Sequence, residues 1–531
     1  MRIRRLSLPH FKNLREFVIE FEPSVATTLI VGRNAMGKSN LMEAVVWIFR
    51  DLDRGFKAEY RTPFPFVIDY EIRGHDIRIA HNPSVAGKPT TFEVDGKFVP
   101  VSTFLNRRER RYLPETLFAY YSGPSNRLEQ LFDESLANFR DAMIRNEQNV
   151  RQRLIYGRLI HSKFVLLSFF SEDADDTAKF LKEHLGIEEL ESVLFSIKQP
   201  YWGKKAGVKA KQTFWGAQGV VRRFLEHLKM EAVAPLQLDV RVPSGIKRSR
   251  SEERVFLFLP DRDAFGSLVA AIAGEGDQGS ARELFKTLES AYVSDLIDDV
   301  RINVRKRNVD DTVTFRELSE GEQQLLMVLG LLRFTRDEES LFLLDEPDTH
   351  LNPAWSQRYL ELLEETVSEN KSSQVLFATH DPVAISMLKK DQVRLLVPRP
   401  DSGLITVEIP EEDPINQGVA GVLTSELFGL RSLYSPVIVE LFEERHRLLS
   451  LESLTSADQA QLDEVNRRLQ NIDLTAATPD PMYANFLRAM AKLDREEISK
   501  KPILSPGEVK EQRDLTESVV REMVEEGDES R

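Results

Sequence analysis

The stretch Leu341-Phe342-Leu343-Leu344-Asp345-Glu346-Pro347-Asp348-Thr349-His350-Leu351 decides the fold. Four apolar residues ahead of two acids have the pattern of a strand buried on both faces of a parallel sheet, which delivers adjacent carboxylates to a sheet edge. Two acids alone would also suit a solvated strand end; the apolar run in front of them argues for the buried strand. Such a pair needs a phosphate to act on. Gly32-Arg33-Asn34-Ala35-Met36-Gly37-Lys38-Ser39 is a complete G-x-x-x-x-G-K-S loop, set between the apolar strand 27–31 and the apolar-periodic helix 41–49. Together the two segments imply an α/β protein that binds and hydrolyses ATP. Gly32 and Gly37 let backbone N–H groups curl around phosphates, and Lys38 reaches the β and γ phosphates. Ser39 and Asp345 hold Mg2+, which leaves Glu346 to orient the attacking water. Arg33, Asn34, Ala35, Met36 and Asn40 complete the candidate ATP-binding stretch.

A third segment, Leu318-Ser319-Glu320-Gly321-Glu322-Gln323-Gln324, precedes the apolar helix 325–332. A Ser-x-Gly turn at a helix start suits anion binding by N–H groups and a hydroxyl, which makes Ser319, Gly321 and Glu322 candidates. The same residues read as a capping box, with Ser319 as N-cap and Glu322 three positions on. The two readings are compatible. The segment resembles the LSGGQ signature of ABC-type ATPases, a fold family that includes transporters and the SMC and RecF group, with Glu320 in place of the first glycine. The resemblance implies an ABC-type P-loop head with a mixed sheet and an antiparallel subdomain. It assigns Asp348 to the D-loop and His380, in Leu376-Phe-Ala-Thr-His380-Asp-Pro, to the switch histidine, so that both join Glu346 as catalytic candidates. Without it, His380 is a polar residue ending a strand. In that family the signature serine contacts the γ-phosphate held by the other protomer's P-loop. The resemblance therefore implies a head dimer around two ATP molecules, or a higher oligomer built from it. A triphosphate has use for more positive dipoles and donors than one P-loop offers. The opening His10-Phe-Lys12-Asn13-Leu14 resembles the start of SMC and RecF chains, where this turn lies near the nucleotide, and adds Lys12 and Asn13 as candidates.

At 531 residues the chain exceeds the usual limit of one core. It has no cysteine, which excludes disulfides and thiolate zinc sites. Its net charge of -14 argues against indiscriminate coating of nucleic acid. Local patches keep nucleic acid a candidate partner: Lys198, Lys204, Lys205, Lys209, Lys211, Arg222 and Arg223 interleave with Tyr201, Trp202, Phe214 and Trp215. A solvated loop beside a helical core accounts for the same pattern. Weaker candidates are Arg301, Arg305, Lys306 and Arg307, and the run Arg107, Arg108, Arg110 and Arg111. No segment has the length of a membrane span, so no membrane partner and a cytoplasmic location are expected.

Four regions are expected: an N-terminal head lobe over 1–125, a helical insertion over 126–250, a C-terminal head lobe over 251–410 and a helical tail over 411–531. Strands are expected at 2–8 and 16–21, an antiparallel meander over 66–100, and a further strand at 117–123. The last stands where the family puts its Q-loop; Gln130 is the nearest glutamine, and that metal ligand stays open. Leu136, Phe139 and Met143, then Val150, Leu154 and Leu159, recur at helical spacing. Sustained heptads are missing, which excludes the long coiled coil of true SMC proteins. Strands are expected at 254–259, 393–397 and 404–409, and helices at 282–300, 437–449, 456–470 and 482–493, with the stretch from Lys500 a linker or docking peptide.

Val437-Ile-Val-Glu440 imitates the first piece of the nuclease domain of overcoming-lysogenization (OLD) proteins, but no Asp-x-Asp pair follows it. What remains is most similar to the PtuA family of ATPase subunits in Septu and retron-associated antiphage systems. That family includes an Asp-Pro-x-Tyr-x-x-Phe stretch like Asp480-Pro-Met-Tyr483-Ala-Asn-Phe486. The resemblance implies a separate HNH nuclease subunit as partner and, in retrons, a reverse transcriptase with its DNA–RNA product. A RecF-like repair ATPase is the alternative, with an OLD-type nuclease ATPase behind it. A transporter ATPase fits less well, because roughly 280 residues separate P-loop and signature.

Overall fold

The apolar run at Leu341–Asp345 forms a fully buried strand inside a parallel sheet. The computed structural model describes residues 1–55, 62–106, 111–145, 152–172, 175–202, 213–243, 249–273, 280–307, 312–335, 339–368, 372–451, 453–469 and isolated positions between 505 and 518. These gather into two compact units. One holds residues 1–30, 35–381 and 398–407; the other holds 31–34, 382–397 and 408–531.

In the first unit, Leu341–Asp345 lies between the parallel strands Leu117–Tyr121 and Gln374–Ala378. Gln374–Ala378 pairs onward with Thr27 to Ile30, and Leu117–Tyr121 with Leu154–Tyr156. The register places Tyr121, Asp345 and Ala378 in one row, with Ile30 beside Ala378. All these strands therefore end at one edge, the place where open α/β sheets bind ligands. A six-stranded antiparallel sheet runs in the order Leu14–Glu20, Arg2–Phe11, Phe66–Ile72, His75–His81, Thr90–Val94, Lys97–Phe98, which contains the expected meander.

A third sheet corrects the expectation of a purely helical insertion. Ile187–Lys198 and Val233–Pro243, both within 126–250, are long strands. They join an antiparallel sheet in the order Val233–Pro243, Ser249–Leu259, Ile187–Lys198, Ile297–Lys306, Thr312–Thr314. Irregularities between Ile187 and Glu189 and between Leu190 and Ser192 put bulges in the central strand. Each bulge resets the two-residue alternation, so Ile187, Leu190, Leu194 and Ile197 fall at spacings that also suit a helix. Leu154 likewise sits in a strand, while Leu136, Phe139 and Met143 lie on the helix Arg127–Ile144 as expected. The helix expected over 282–300 stops at Val293: Ser280–Val293 is helical, Asp295 turns at a φ of 62°, and Ile297–Lys306 is a strand.

The second unit holds the helices Pro414–Thr424, Pro436–Leu449 and Ser456–Leu469. The last two bury Leu441, Val465 and Leu469 with Ile438 and Phe442. Pro414–Thr424 was not anticipated; Gly418, at a φ of 64°, breaks its periodicity. The expected helix at 482–493, the Asp480 to Phe486 stretch, Arg107, Arg108, Arg110, Val150 and Lys204 to Lys211 lie outside the described residues. Among the described residues, no helix is long and apolar enough to cross a membrane.

The helix Glu320–Thr335 packs against Leu159–Phe170 through Gly330, where an added Cβ would stand 2.0 Å from Val165 Cγ1 and 2.7 Å from its Cγ2. Val165 is fully buried and branched at Cβ, itself 2.9 Å from the added atom, so no rotamer clears the clash. Gly330→Ala is predicted to destabilise the first unit by about 1–3 kcal/mol, overpacking outweighing the gain in helix propensity. Adding Val165→Ala should recover part of that loss, which urea unfolding of the single and double variants measures.

Candidate nucleotide site

The loop before the helix Lys38–Asp53 takes left-handed backbone at Ala35 and Gly37, with φ of 67° and 90°. Such interruptions make the concave run of N–H groups that binds anions. Gly37 has a second constraint, since a Cβ there would stand 2.7 Å from Leu14 Cδ2 and 3.0 Å from Asn13 Oδ1. Asn13 braces the loop: its Nδ2 donates to the Ala35 carbonyl at 2.8 Å, and its Oδ1 accepts from Asn40 Nδ2 at 2.6 Å. Lys12 is held by Glu43 at 2.5 Å. Both residues expected from the opening turn thus support the loop through its neighbours. Met36 is half-buried; Gly32, Arg33 and Asn34 belong to the second unit.

Lys38, Ser39, Asp345, Glu346 and His380, spread over more than 340 residues of sequence, converge at the sheet edge. Lys38 Nζ donates to His380 Nε2 at 2.6 Å. Lysine has no acceptor, so this contact places the imidazole proton on Nδ1. Burial, then the Lys38 charge, hold His380 below the ordinary histidine range, and it is neutral at pH 7. His380 Nε2 also lies 3.7 Å from Glu346 Oε1. Glu346 leaves the strand with a φ of 53°, and its N–H donates to the Ala378 carbonyl at 2.8 Å. That left-handed turn takes the second carboxylate out of strand alternation and leaves it beside His380.

Burial pushes Asp345 up to about 6; the Glu346 charge adds to this, and a hydrogen bond from Ser39 opposes it. Asp345 Oδ1 is buried without a hydrogen-bond partner. A hydroxyl and a buried carboxylate with an unsatisfied oxygen form a hard donor set that fits Mg2+.

Asp348 is buried and accepts from Thr379 Oγ1 at 2.5 Å, and burial pushes it up to about 6. It therefore touches the residue before His380, and it positions the switch segment. The capping box at the signature is realised: Glu322 N–H donates to Ser319 Oγ at 3.2 Å, and Ser319 N–H donates to Glu322 Oε2 at 2.7 Å. Lys306 occupies the other oxygen of Glu322 at 2.7 Å. Glu322 is thus engaged within its own chain, whereas Ser319 is exposed. A Cβ on Gly321 would stand 2.8 Å from the His350 carbonyl, so glycine lets the signature approach the D-loop; both line a cavity of about 370 Å3.

Two residues escaped the sequence reading. Ser122, at the Q-loop position, donates its N–H to the Asp345 carbonyl at 3.2 Å and bonds Thr349 Oγ1 at 2.9 Å. Arg127 opens the helix Arg127–Ile144 with its guanidinium 3.4 Å from Asn40 Oδ1 and 4.0 Å from Glu43, and its charge reaches Asp345 and Tyr121. A cation here has no motif of its own in the sequence; only the parallel pairing of 117–121 with 341–345 brings it to the site. Gln130 is exposed one turn farther on. Of the described members of the 198–223 cluster, Lys198 pairs with Asp295, Trp202 donates to the Ser294 carbonyl and Trp215 to Glu253, while Tyr201, Arg222 and Arg223 are exposed.

Two family models match, both described as AAA domains: one over residues 5–209 and one, described also as a putative AbiEii toxin of a type IV toxin–antitoxin system, over 216–386. Both matched stretches are thus similar to AAA-type ATPase domains. Among curated proteins, the chain is similar to the Septu protein PtuA of Bacillus mycoides, 26% identical over 40% of this chain and 32% of that one. It is similar to the retron Vc95 probable ATPase of Vibrio cholerae, 21% identical over 75% of this chain and 73% of that one. It is also similar to the DNA replication and repair protein RecF of Limosilactobacillus fermentum, 25% identical over 30% and 44% of the respective chains. The match thus spans about a third of the Septu protein.

This ATPase geometry separates two roles. Lys38→Ala is predicted to lose ATP binding. Glu346→Gln is predicted to bind ATP as the parent does while hydrolysis falls by about 10²-fold or more, the scale of a lost catalytic base. Parallel nucleotide-binding and phosphate-release assays check this, and equal loss of binding in both variants would overturn the assignment.

Proposed function

We propose that the chain is the ATP-binding and ATP-hydrolysing subunit of an antiphage defence complex, working as a head-to-head dimer that governs a separate nuclease of the HNH class. The observation that carries the reading is the convergence of Lys38, Ser39, Asp345, Glu346 and His380 at one sheet edge. Support for the defence role comes from the two similar proteins named for Septu and retron systems.

In this reading Ala35 to Asn40 cradle the triphosphate, and Lys38 neutralises its β and γ oxygens. Ser39 and Asp345 would hold Mg2+, which would supply charge neutralisation on the phosphates. Glu346 accepts a proton from the attacking water, with the His380 imidazole beside it and Lys38. Ser319 and the start of its helix complete the partner chain's site, where a hydroxyl and helix N–H groups meet the exposed end of the triphosphate. Similarity to RecF supports a second reading, in which the same ATP-driven dimer acts on DNA without a nuclease subunit.

Action across a dimer makes a sharp prediction. Lys38→Ala and Ser319→Arg chains, each inactive alone, should on mixing recover roughly a quarter of parental ATPase, since half the dimers are mixed and each carries one intact site. Mixed dimers that stay inactive would contradict it.

The chain alone is predicted to leave plasmid, single-stranded DNA and RNA intact in Mg2+ or Mn2+, with or without ATP. Gel assays read the outcome. Cleavage that survives further purification and the Glu346→Gln substitution would place the nuclease in this chain.

A further inference from the structure

The five-stranded sheet carries a second site, formed by residues the ATP site does not use. A cavity of about 420 Å3 opens on one face of the sheet, lined by Lys163, Leu194, Phe258, Arg301, Asn303 and Arg316 among others. Strand register explains the grouping. Phe258 pairs with Leu194 and Leu194 with Arg301, so an aromatic ring, an aliphatic chain and a guanidinium form one row across three strands. The next row carries Ser192 and Asn303, with Asn303 Nδ2 donating to Ser192 Oγ at 3.0 Å.

The charges are unequally spent. Of the cations on the strand Ile297–Lys306 and just after it, Arg305 is paired with Glu189 and Glu191, Lys306 with Glu322, and Arg307 with Glu188. Arg301 is exposed and has no ion pair among the described residues. Lys163 and Arg316 both meet Asp299, Arg316 at 3.1 Å, so two positive charges share one negative one. Among the described residues no carboxylate lines the cavity, which leaves it net positive. Its other end is apolar and open: Phe258 is 39% exposed, and the edge strand beside it exposes Val233 on the Phe258 row and Leu236 opposite Phe256.

A cationic end beside an exposed ring fits a ligand with a phosphate at one end and a flat, stackable base at the other. A bare anion would leave the ring and the aliphatic residues unused. A purely apolar ligand would leave Arg301 unanswered. We propose that this cavity binds a nucleotide unit, free or as part of a nucleic-acid strand, with the phosphate on Arg301 and Arg316 and the base on Phe258. The proposal stands apart from the reading of the ATP site.

The test uses the full chain carrying Lys38→Ala, so that the P-loop contributes no nucleotide binding, with fluorescence anisotropy of two probes. These are a fluorescent AMP analogue and a fluorescein-labelled 12-nucleotide single strand. Arg301→Glu and Phe258→Ala are each expected to weaken binding about tenfold or more, the scale of one charge-assisted bond or one stacked base. Arg305→Ala, which removes a paired cation outside the cavity, should bind as the parent does. If Arg301→Glu lowers the melting temperature, Arg301→Gln carries the same expectation. Binding of both probes identifies a free nucleotide as sufficient, and binding of the strand alone identifies a nucleic acid; either supports the proposal. Failure of both probes to bind, or binding unchanged in Arg301→Glu and Phe258→Ala, overturns it.

Discussion

A carboxylate taken out of water without a cation is costly, and the head is arranged around one such group. Asp345 ends a strand buried on both faces, accepts a hydrogen bond from Ser39 and keeps Oδ1 unsatisfied. The hydrogen bond from Ser39 and the charges of Lys38 and Arg127 offset only part of that cost, and burial pushes the group up to about 6. A divalent cation beside Ser39 would relieve it and hold Asp345 ionised. The strand order assembles this group: the same register that sets Asp345 between Tyr121 and Ala378 sends Glu346 and His380 out at its flank.

Around this centre a chain of short contacts links the segments that ATPases of this type use together. Asp348 holds Thr379 beside His380, Ser122 ties the strand 117–121 to Thr349, and Gly321 lets the signature helix rest on the His350 carbonyl. Lys38 is shared as well, because a phosphate drawn to its ammonium competes with His380 for the same donor. In the proposed reading, the state of the nucleotide acts on these contacts and through them on the surface that carries Ser319.

Much of this was legible in the sequence, for reasons that differ by segment. Leu341 to Asp345 could be placed because a run of apolar residues ahead of acids has few other uses, and the P-loop because its glycines, lysine and serine each have a separate task. The capping box at Ser319 and Glu322 is local and follows from spacing alone. The strand Ile187–Lys198 was hidden because its bulges break the alternation and its partners lie some 60 and 110 residues away. Arg127 and Ser122 were hidden for a related reason: a residue that reaches a site through strand pairing leaves no mark in its own neighbourhood. The same register that hid them shows that Arg301 alone of its basic run is left without a carboxylate among the described residues, a distinction that composition cannot draw.

The most direct test of the central claim is a structure determined with Mg2+ and a non-hydrolysable ATP analogue. The account predicts Mg2+ bound to Ser39 Oγ and to Asp345, the triphosphate drawn to Lys38, and the Lys38–His380 contact broken. A nucleotide bound elsewhere, or a bound nucleotide with Asp345 Oδ1 still lacking any partner, would contradict it.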